Sequence, residues 1–166
     1  MKETKTYHGG FGNGCRATAA PLNGDGRNRN VVVGFDNGKI LFRHRQKAAE
    51  FASFFAGDEI FMMTETPEVN GKQDVYACSY NGFVYRFTAD GKLVWNRAMP
   101  GSVVRIATLP DGGLAAGTIA GDVCILSPDG KVRHQNKLEG AVTGLTVDAS
   151  RLLVTTDNGV IAALEL

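Results

Sequence analysis

Short apolar runs alternate with polar turns along the chain, and four segments share one form. Each has an apolar run, a small residue, a short polar turn that ends in glycine, and a second apolar run. The runs are brief and rich in Val, Ile, Tyr and Phe, which predicts β-strands and not helices. The four segments are VVVGFDNGKILF at 31–42, VYACSYNGFVYRF at 75–87, GLAAGTIAGDVCIL at 113–126 and LLVTTDNGVIAAL at 152–164.

The turn glycines give these segments a regular period. They are Gly38, Gly82, Gly121 and Gly159. Three of the four turns are Asn-Gly, the dipeptide that suits a tight β-hairpin. The spacing of about 40 residues is that of β-propeller blades. We therefore predict an all-β fold, a β-propeller with four four-stranded antiparallel blades per chain.

The strand count assigns a boundary to each blade. We predict a single domain over 1–166 with blades at about 15–56, 59–99, 102–138 and 141–166. The stretch AAEFASFFA at 48–56 fits either an outer strand or one or two helical turns. The last blade is one strand short, and the alternating stretch KETKTYH at 2–8 is predicted to complete it as the outermost strand.

The second hairpin and the residues after it resemble a known repeat. The stretch GFVYRFTADGKLVW at 82–95 resembles the quinoprotein-like (PQQ-like) repeat G-x-L-Y-A-L-D-x-x-T-G-K-x-x-W, and GDVCILSPDGK at 121–131 repeats it weakly, with His134 in the place of Trp95. WD-repeat propellers have a similar geometry, but no unit has the Trp-Asp dipeptide. The first unit resembles FG-GAP blades. These resemblances imply a propeller but no activity, since propellers host enzymes, lectins and scaffolds. We carry over no cofactor.

Composition narrows the classes of function. The net charge of +1 creates no global field that would attract nucleic acid or an acidic membrane. The polar N-terminus predicts no signal peptide and no membrane span. Cys15, Cys78 and Cys124 are odd in number and lack a C-x-x-C spacing, which argues against a disulfide framework. We expect a cytoplasmic protein with reduced thiols.

Two motif matches lack the context that their chemistry needs. Asn23 and Asp25 resemble a calcium loop, but Pro21 and Arg29 occupy two of its ligand positions, and a hard cation needs several carboxylates. The segment 12–17 fits the letters of a dinucleotide loop, but a strand follows it where a helix is required. The three histidines fall in different units. We predict no metal site and no catalytic residue.

The face of the propeller that carries the hairpin turns is the predicted binding surface, since loops on a rigid scaffold commonly carry recognition. Three charged residues of the innermost strands should either line a polar channel that holds ligand or water, or pair with one another near its rim. The predicted ligand-binding residues are Asp36, Asn37, Tyr80, Asn81, Asp157, Asn158, Arg16, Glu59 and Arg105.

A basic cluster in the first blade forms a second candidate surface. It consists of Arg27, Arg29, Arg43, Arg45 and Lys47. Two connections at one end of the blade carry these cations, which would suit an acidic partner or form a solvated charged surface. Aromatic side chains are not interleaved with them, so the cluster does not favour nucleic acid.

These observations favour a non-enzymatic module that binds a protein or peptide. One alternative is a small-ligand or carbohydrate binder that uses the central channel, with Trp95 or Tyr80 as a stacking surface. Another is a hydrolase or lyase with a site at the channel. Four such blades could form a compact ring alone, or a homodimer with a two-fold axis could form an eight-bladed ring.

Deleting residues 1–8 tests the terminal strand. Pairing of this strand would supply roughly four ladder hydrogen bonds at about 1 kcal/mol each. Partial burial of Tyr7 would add about 1–2 kcal/mol. The truncated protein should therefore aggregate or melt at a far lower temperature, as measured by thermal denaturation. A soluble truncated protein with an unchanged melting temperature would show that the strand count is wrong.

Overall fold

The computed structural model describes residues 14–24, 29–45, 49–148 and 150–166. Within these ranges the chain forms fifteen β-strands in four antiparallel sheets and no helix. The first sheet contains β1 (Cys15–Ala19), β2 (Asn30–Phe35), β3 (Lys39–His44) and β4 (Glu50–Phe55). The second contains β5 (Ile60–Glu65), β6 (Val75–Ser79), β7 (Phe83–Phe87) and β8 (Leu93–Ala98). The third contains β9 (Val103–Thr108), β10 (Leu114–Thr118), β11 (Asp122–Leu126) and β12 (Val132–Lys137). The fourth contains β13 (Val142–Asp148), β14 (Arg151–Thr156) and β15 (Ile161–Glu165).

The strands of each sheet follow one another in sequence order, and the inner strands β1, β5, β9 and β13 contact one another in that order. The prediction of an all-β propeller with antiparallel blades is confirmed. Three sheets have four strands and the fourth has three among the described residues. The predicted terminal strand at 2–8 lies outside those residues.

Within the ambiguous stretch at 48–56, residues Glu50–Phe55 form strand β4, and their side chains alternate between two environments. Phe54 of β4 faces the second sheet, with its ring centroid 5.4 Å from that of Tyr85 and 5.1 Å from that of Phe87. The next residue, Phe55, points away and is 66% exposed. A helical turn would not separate the two aromatic rings in this way.

Three apolar clusters hold the four sheets together. Phe42 and Phe87 lie between the first and second sheets, Tyr76 and Leu126 between the second and third, and Leu152 between the third and fourth. Each large side chain buried in this way contributes about 1.5–3 kcal/mol. Every residue of β6, β10 and β11 is buried, because the two middle sheets have a neighbour on both faces.

Each innermost strand has a β-bulge at the same place. The register skips one residue near the start of each, namely Arg16, Phe61, Val104 and Thr143. A bulge bends the strand and turns a side chain out of the regular alternation. The repeat thereby places four equivalent, chemically different residues at the same point of the four innermost strands, next to the hairpin turns.

At the opposite end of the sheets, a turn of one sheet packs onto the sheet before it. The turns 88–92 and 127–131 share the form Ser/Thr-x-Asp-Gly-Lys. The carbonyl of Ala89 accepts a hydrogen bond of 2.8 Å from Asn30, and the carbonyl of Pro128 accepts bonds from Trp95 Nε1 (2.9 Å) and from Arg86 (2.5 Å). The same kind of link therefore connects the first sheet to the second and the second to the third.

Two glycines of the third sheet allow this packing to be tested. Gly130 and Gly112 have φ angles of 82° and 83°, so alanine costs about 1–2 kcal/mol in backbone strain at either position. A Cβ at Gly130 would lie 2.8 Å from a ring carbon of Trp95, whereas a Cβ at Gly112 would have only an ordinary contact at 3.8 Å. Crowding of this kind costs a further 1–3 kcal/mol, roughly.

Gly130→Ala should therefore lower the melting temperature more than Gly112→Ala. The expected additional decrease is roughly 3–10 °C, given about 2–4 °C per kcal/mol for a domain of this size. Differential scanning calorimetry of the two variants measures it. Equal decreases would mean that Trp95 and the 127–131 turn are not in tight contact.

Candidate functional site

The end of the sheets that carries the hairpin turns is called here the turn face. It comprises the turns 36–38, 80–82, 119–121 and 157–159 and the starts of the inner strands. In every sheet the first turn residue donates its backbone N–H to a carbonyl immediately before or at the start of the inner strand, at 2.9–3.1 Å. The pairs are Asp36 with Gly14, Tyr80 with Glu59, Ile119 with Ser102, and Asp157 with Ala141. These bonds hold the turns in fixed positions around the channel.

Several predicted ligand-binding residues serve this scaffold. The carboxylate of Asp36 accepts a hydrogen bond of 2.9 Å from the N–H of Gly14, and that of Asp157 accepts one of 2.8 Å from the N–H of Ala141. Asn81 donates to the carbonyl of Ala56 at 2.6 Å. Asn37 Oδ1 accepts from the N–H of Lys39, and Asn158 Oδ1 accepts from the hydroxyl of Thr156. Their side chains therefore fix the shape of the turns.

Two of the three charged residues predicted for the inner strands contact each other at the turn face. Arg16 forms an ion pair of 2.9 Å with Glu59, which links the first sheet to the second. Arg105 forms no ion pair with an acid among the described residues; its guanidinium lies over the ring of Phe61 at 5.8 Å and donates to the carbonyl of Thr143 at 2.6 Å. Of the two arrangements predicted, pairing near the rim is the one found for Arg16 and Glu59.

Each sheet also carries an exposed apolar side chain at this end. Tyr80 and Ile119 occupy equivalent turn positions on neighbouring sheets and are 42% and 43% exposed. Phe55 and Ile161, at the same end of the first and fourth sheets, are 66% and 80% exposed. Of these four residues, sequence reasoning identified only Tyr80. The signal for Ile119 is present in the sequence, because an isoleucine stands at a turn position where two other repeats have aspartate.

Two of the three cysteines are unsuited to nucleophilic chemistry. Cys78 and Cys124 are fully buried in β6 and β11. Burial raises the pKa of the Cys78 thiol to about 12 and that of Cys124 to about 11, so both are neutral thiols near pH 7. Cys15 is exposed at the start of β1.

Arg29 of the predicted basic cluster forms hydrogen bonds within the fold. Its guanidinium donates to the carbonyl of Ala20 at 2.6 Å and to Gln73 Oε1 at 3.2 Å, and so connects the first and second sheets. Arg43 is partly buried and Arg45 is exposed. Arg27 and Lys47 lie outside the described residues. The cluster therefore does not present five equivalent surface cations.

The structure describes only part of the two motif matches near the N-terminus. Asp25 of the calcium-like loop and residues 12–13 of the dinucleotide-like segment lie outside the described ranges. Within those ranges, three or more His, Cys, Asp or Glu side chains do not gather at any point in a way that could hold a metal ion. The described part of the chain also contains no helical segment with the length and hydrophobicity of a membrane span.

Comparisons with known proteins agree on the propeller architecture. The family model described as outer membrane protein assembly factor BamB matches residues 80–166. Among solved structures, the computationally designed Ika4 protein has a TM-score of 0.83 at 14% identity, over 100% of this chain and 99% of its own. Saccharomyces cerevisiae Sqt1 has a TM-score of 0.82 at 16% identity, over 91% of this chain and 46% of its own. Chaetomium thermophilum Sqt1, bound to the N-terminus of the ribosomal protein L10, has a TM-score of 0.75 at 18% identity, over 90% and 43%.

The chain thus spans nearly the whole of Ika4 and about half the length of the two Sqt1 chains. At identities this low, the structural similarity establishes a shared fold and no more. A comparison with the curated proteins gives no match.

The burial of the thiols leads to a labelling prediction. In the native protein at pH 8, a disulfide reagent should modify Cys15 rapidly and leave Cys78 and Cys124 unmodified, because both lie inside sheets and remain protonated. All three should react in guanidinium chloride. Mass spectrometry after peptide digestion identifies the modified sites. Rapid native labelling of Cys78 would contradict the packing of the second sheet against the third.

Proposed function

The chain belongs to the family of the outer membrane protein assembly factor BamB, and on that premise we propose that it is a non-enzymatic binding module that recognises a protein or peptide across the turn face. One observation carries the proposal: Tyr80 and Ile119 stand exposed at equivalent positions of the turns of neighbouring sheets, and backbone hydrogen bonds hold both turns in place. Apolar anchors on a pre-organised surface are the usual source of binding energy between proteins.

Polar groups around these anchors supply direction. The Arg16–Glu59 pair and the guanidinium of Arg105 belong to the starts of the inner strands, which form part of the turn face. Exposed ion pairs contribute little to stability, about 0–1 kcal/mol, so they can exchange partners at small cost. An extended segment that crosses the turn face could contact apolar side chains on the turns and charged groups at the starts of the inner strands.

The similarity to Sqt1 supports a peptide ligand at a coarse level. The Chaetomium thermophilum protein is a propeller-like chain bound to the N-terminus of a ribosomal protein. For the present chain we propose only the corresponding class of partner, a protein or peptide segment.

The alternatives predicted from the sequence have less support. Trp95 packs against Tyr76 between two sheets, with its Nε1 bonded to Pro128, so it offers no stacking platform at the channel. The two described cavities lie at the end opposite to the turn face. Burial makes Cys78 and Cys124 unsuitable as nucleophiles. A carbohydrate site or a hydrolase site would therefore have to use other groups at the turn face.

Paired variants test the proposal. Peptides are selected from a displayed random library on the immobilised protein, and their Kd values are measured by fluorescence anisotropy. We expect the double variant Tyr80→Ala/Ile119→Ala to weaken binding at least thirtyfold, roughly, because two lost anchors cost about 2 kcal/mol or more.

The control is the double variant Leu93→Ala/Val132→Ala. These residues are 40% and 45% exposed, which matches the test pair, but they lie on the outer strands β8 and β12. The control should change Kd less than twofold. Equal losses in both variants would refute the turn face as the binding surface. A glycan array and a panel of generic hydrolase substrates examine the two alternatives with the same variants.

A further inference from the structure

A groove lies between the third and fourth sheets, at the end opposite to the turn face. It encloses a cavity of about 300 Å³. Its lining combines apolar side chains with a charged pair and two further polar residues. The lining residues are Leu109, Pro110, Asp111, Ile125, Arg133, His134, Ser150 and Leu166.

The two equivalent grooves of the same molecule are filled. Between the first and second sheets, Gly91 of the 88–92 turn lies against Phe42 and Ala52. Between the second and third sheets, Gly130 of the 127–131 turn lies against Trp95. In both cases the turn also accepts a side-chain hydrogen bond at the carbonyl of its second residue.

The strand register identifies the corresponding residues of the third groove. Arg86 pairs with Trp95 immediately before the bulge in β8, and Ile125 pairs with His134 immediately before the bulge in β12. The groove between the second and third sheets therefore has Trp95 and Arg86 where this one has His134 and Ile125. Both replacements are smaller, and the space that they leave is part of the cavity.

The chemistry of the groove matches that of the filled ones. Leu109 and Ile125 form a buried apolar floor, and Arg133 and Asp111 form an ion pair of 2.7 Å at the rim. His134 is exposed and occupies the position of the Trp95 donor. Its imidazole makes no hydrogen bond to the described residues. An imidazole N–H at this place can donate to a carbonyl as the indole N–H of Trp95 does.

We propose that this groove binds a tight, glycine-containing turn of a partner polypeptide. The form of the occupant is that of the chain's own turns, Ser/Thr-x-Asp-Gly-Lys. Its glycine lies over His134, the carbonyl of its second residue accepts a hydrogen bond from the imidazole, and a small apolar residue at that position contacts Leu109 and Ile125. This is a second site, separate from the turn face and independent of it.

A cyclic hairpin peptide that contains Ser-Pro-Asp-Gly-Lys is the probe, because a preformed turn loses little conformational entropy on binding. It is titrated into the 15N-labelled protein and followed by NMR. The expected shifts are at Leu109, Ile125, His134 and Ser150. His134→Ala should weaken binding of the peptide about fivefold. His134→Trp should keep or increase the affinity of the unmodified protein, since the indole reproduces the donor of the filled groove.

Two controls distinguish binding in the groove from non-specific binding of the peptide. Val132→Ala changes a side chain on the same strand that points to the other face of the sheet, and it should leave Kd unchanged. A peptide with alanine in place of the glycine should bind about tenfold more weakly, because alanine disfavours positive φ and would contact His134.

Several results would overturn the proposal. They are the absence of shifts at millimolar peptide, equal binding of the alanine peptide, and an equal effect of Val132→Ala and His134→Ala. Self-association of the protein that His134→Ala abolishes would assign the groove to a second copy instead. The variant Tyr80→Ala/Ile119→Ala should bind the cyclic peptide normally, so failure of this site is distinguishable from failure of the proposed function.

Discussion

Burial of both faces of the middle sheets is the constraint on which the rest of the structure depends. β6, β10 and β11 have no exposed residue, and they can remain so only if a neighbouring sheet covers each face. A single four-stranded sheet has two faces and cannot bury either one alone. Packing of each sheet on the next therefore sets the angle between sheets, and through it the convergence of the inner strands.

This packing gives the two ends of the sheets different roles. At the turn face, each hairpin is bonded to an adjacent inner strand, so apolar residues such as Tyr80 can stand exposed without disturbing the core. At the other end, turns are inserted between sheets and their carbonyls satisfy donors such as Trp95. Exposed apolar turn residues at one end and cohesion between sheets at the other follow from the same repeat.

The sequence carried enough information for the repeat and the hairpins, because glycine turns and short β-branched runs are local signals. The sequence could not decide between helix and strand for the 48–56 stretch. The difference depends on the second sheet, where the rings of Tyr85 and Phe87 lie against Phe54 but not against Phe55. The Arg16–Glu59 pair joins residues of two different sheets, and only the packing angle brings them within 2.9 Å.

The roles of the predicted site residues were harder to infer from the sequence than the fold, for a related reason. Asp36 and Asp157 stood out as polar turn residues, but a carboxylate beside a free backbone N–H is as useful to the scaffold as to a ligand, and both are bonded to the inner strands. Ile119 was missed because its turn lacks the Asn-Gly signal that identified the others. Residue type at a turn indicates exposure, whereas function depends on what the neighbours leave unsatisfied.

The first and fourth sheets each pack on a neighbouring sheet through one face, and their other faces differ in polarity. On the first sheet, that face carries Val33 and Leu41, and Leu41 is only 5% exposed. On the fourth sheet, the equivalent face pairs Leu153 with Ala163 but also carries the charged pair Arg151 and Glu165 at its edge. A contact between these two faces would be more polar than the three apolar clusters inside the series. The same four-sheet unit fits a chain of equal length and half of chains about twice as long. In a closed ring of such units the first and fourth faces would meet, so substitutions at these two faces are the ones that would change ring size most.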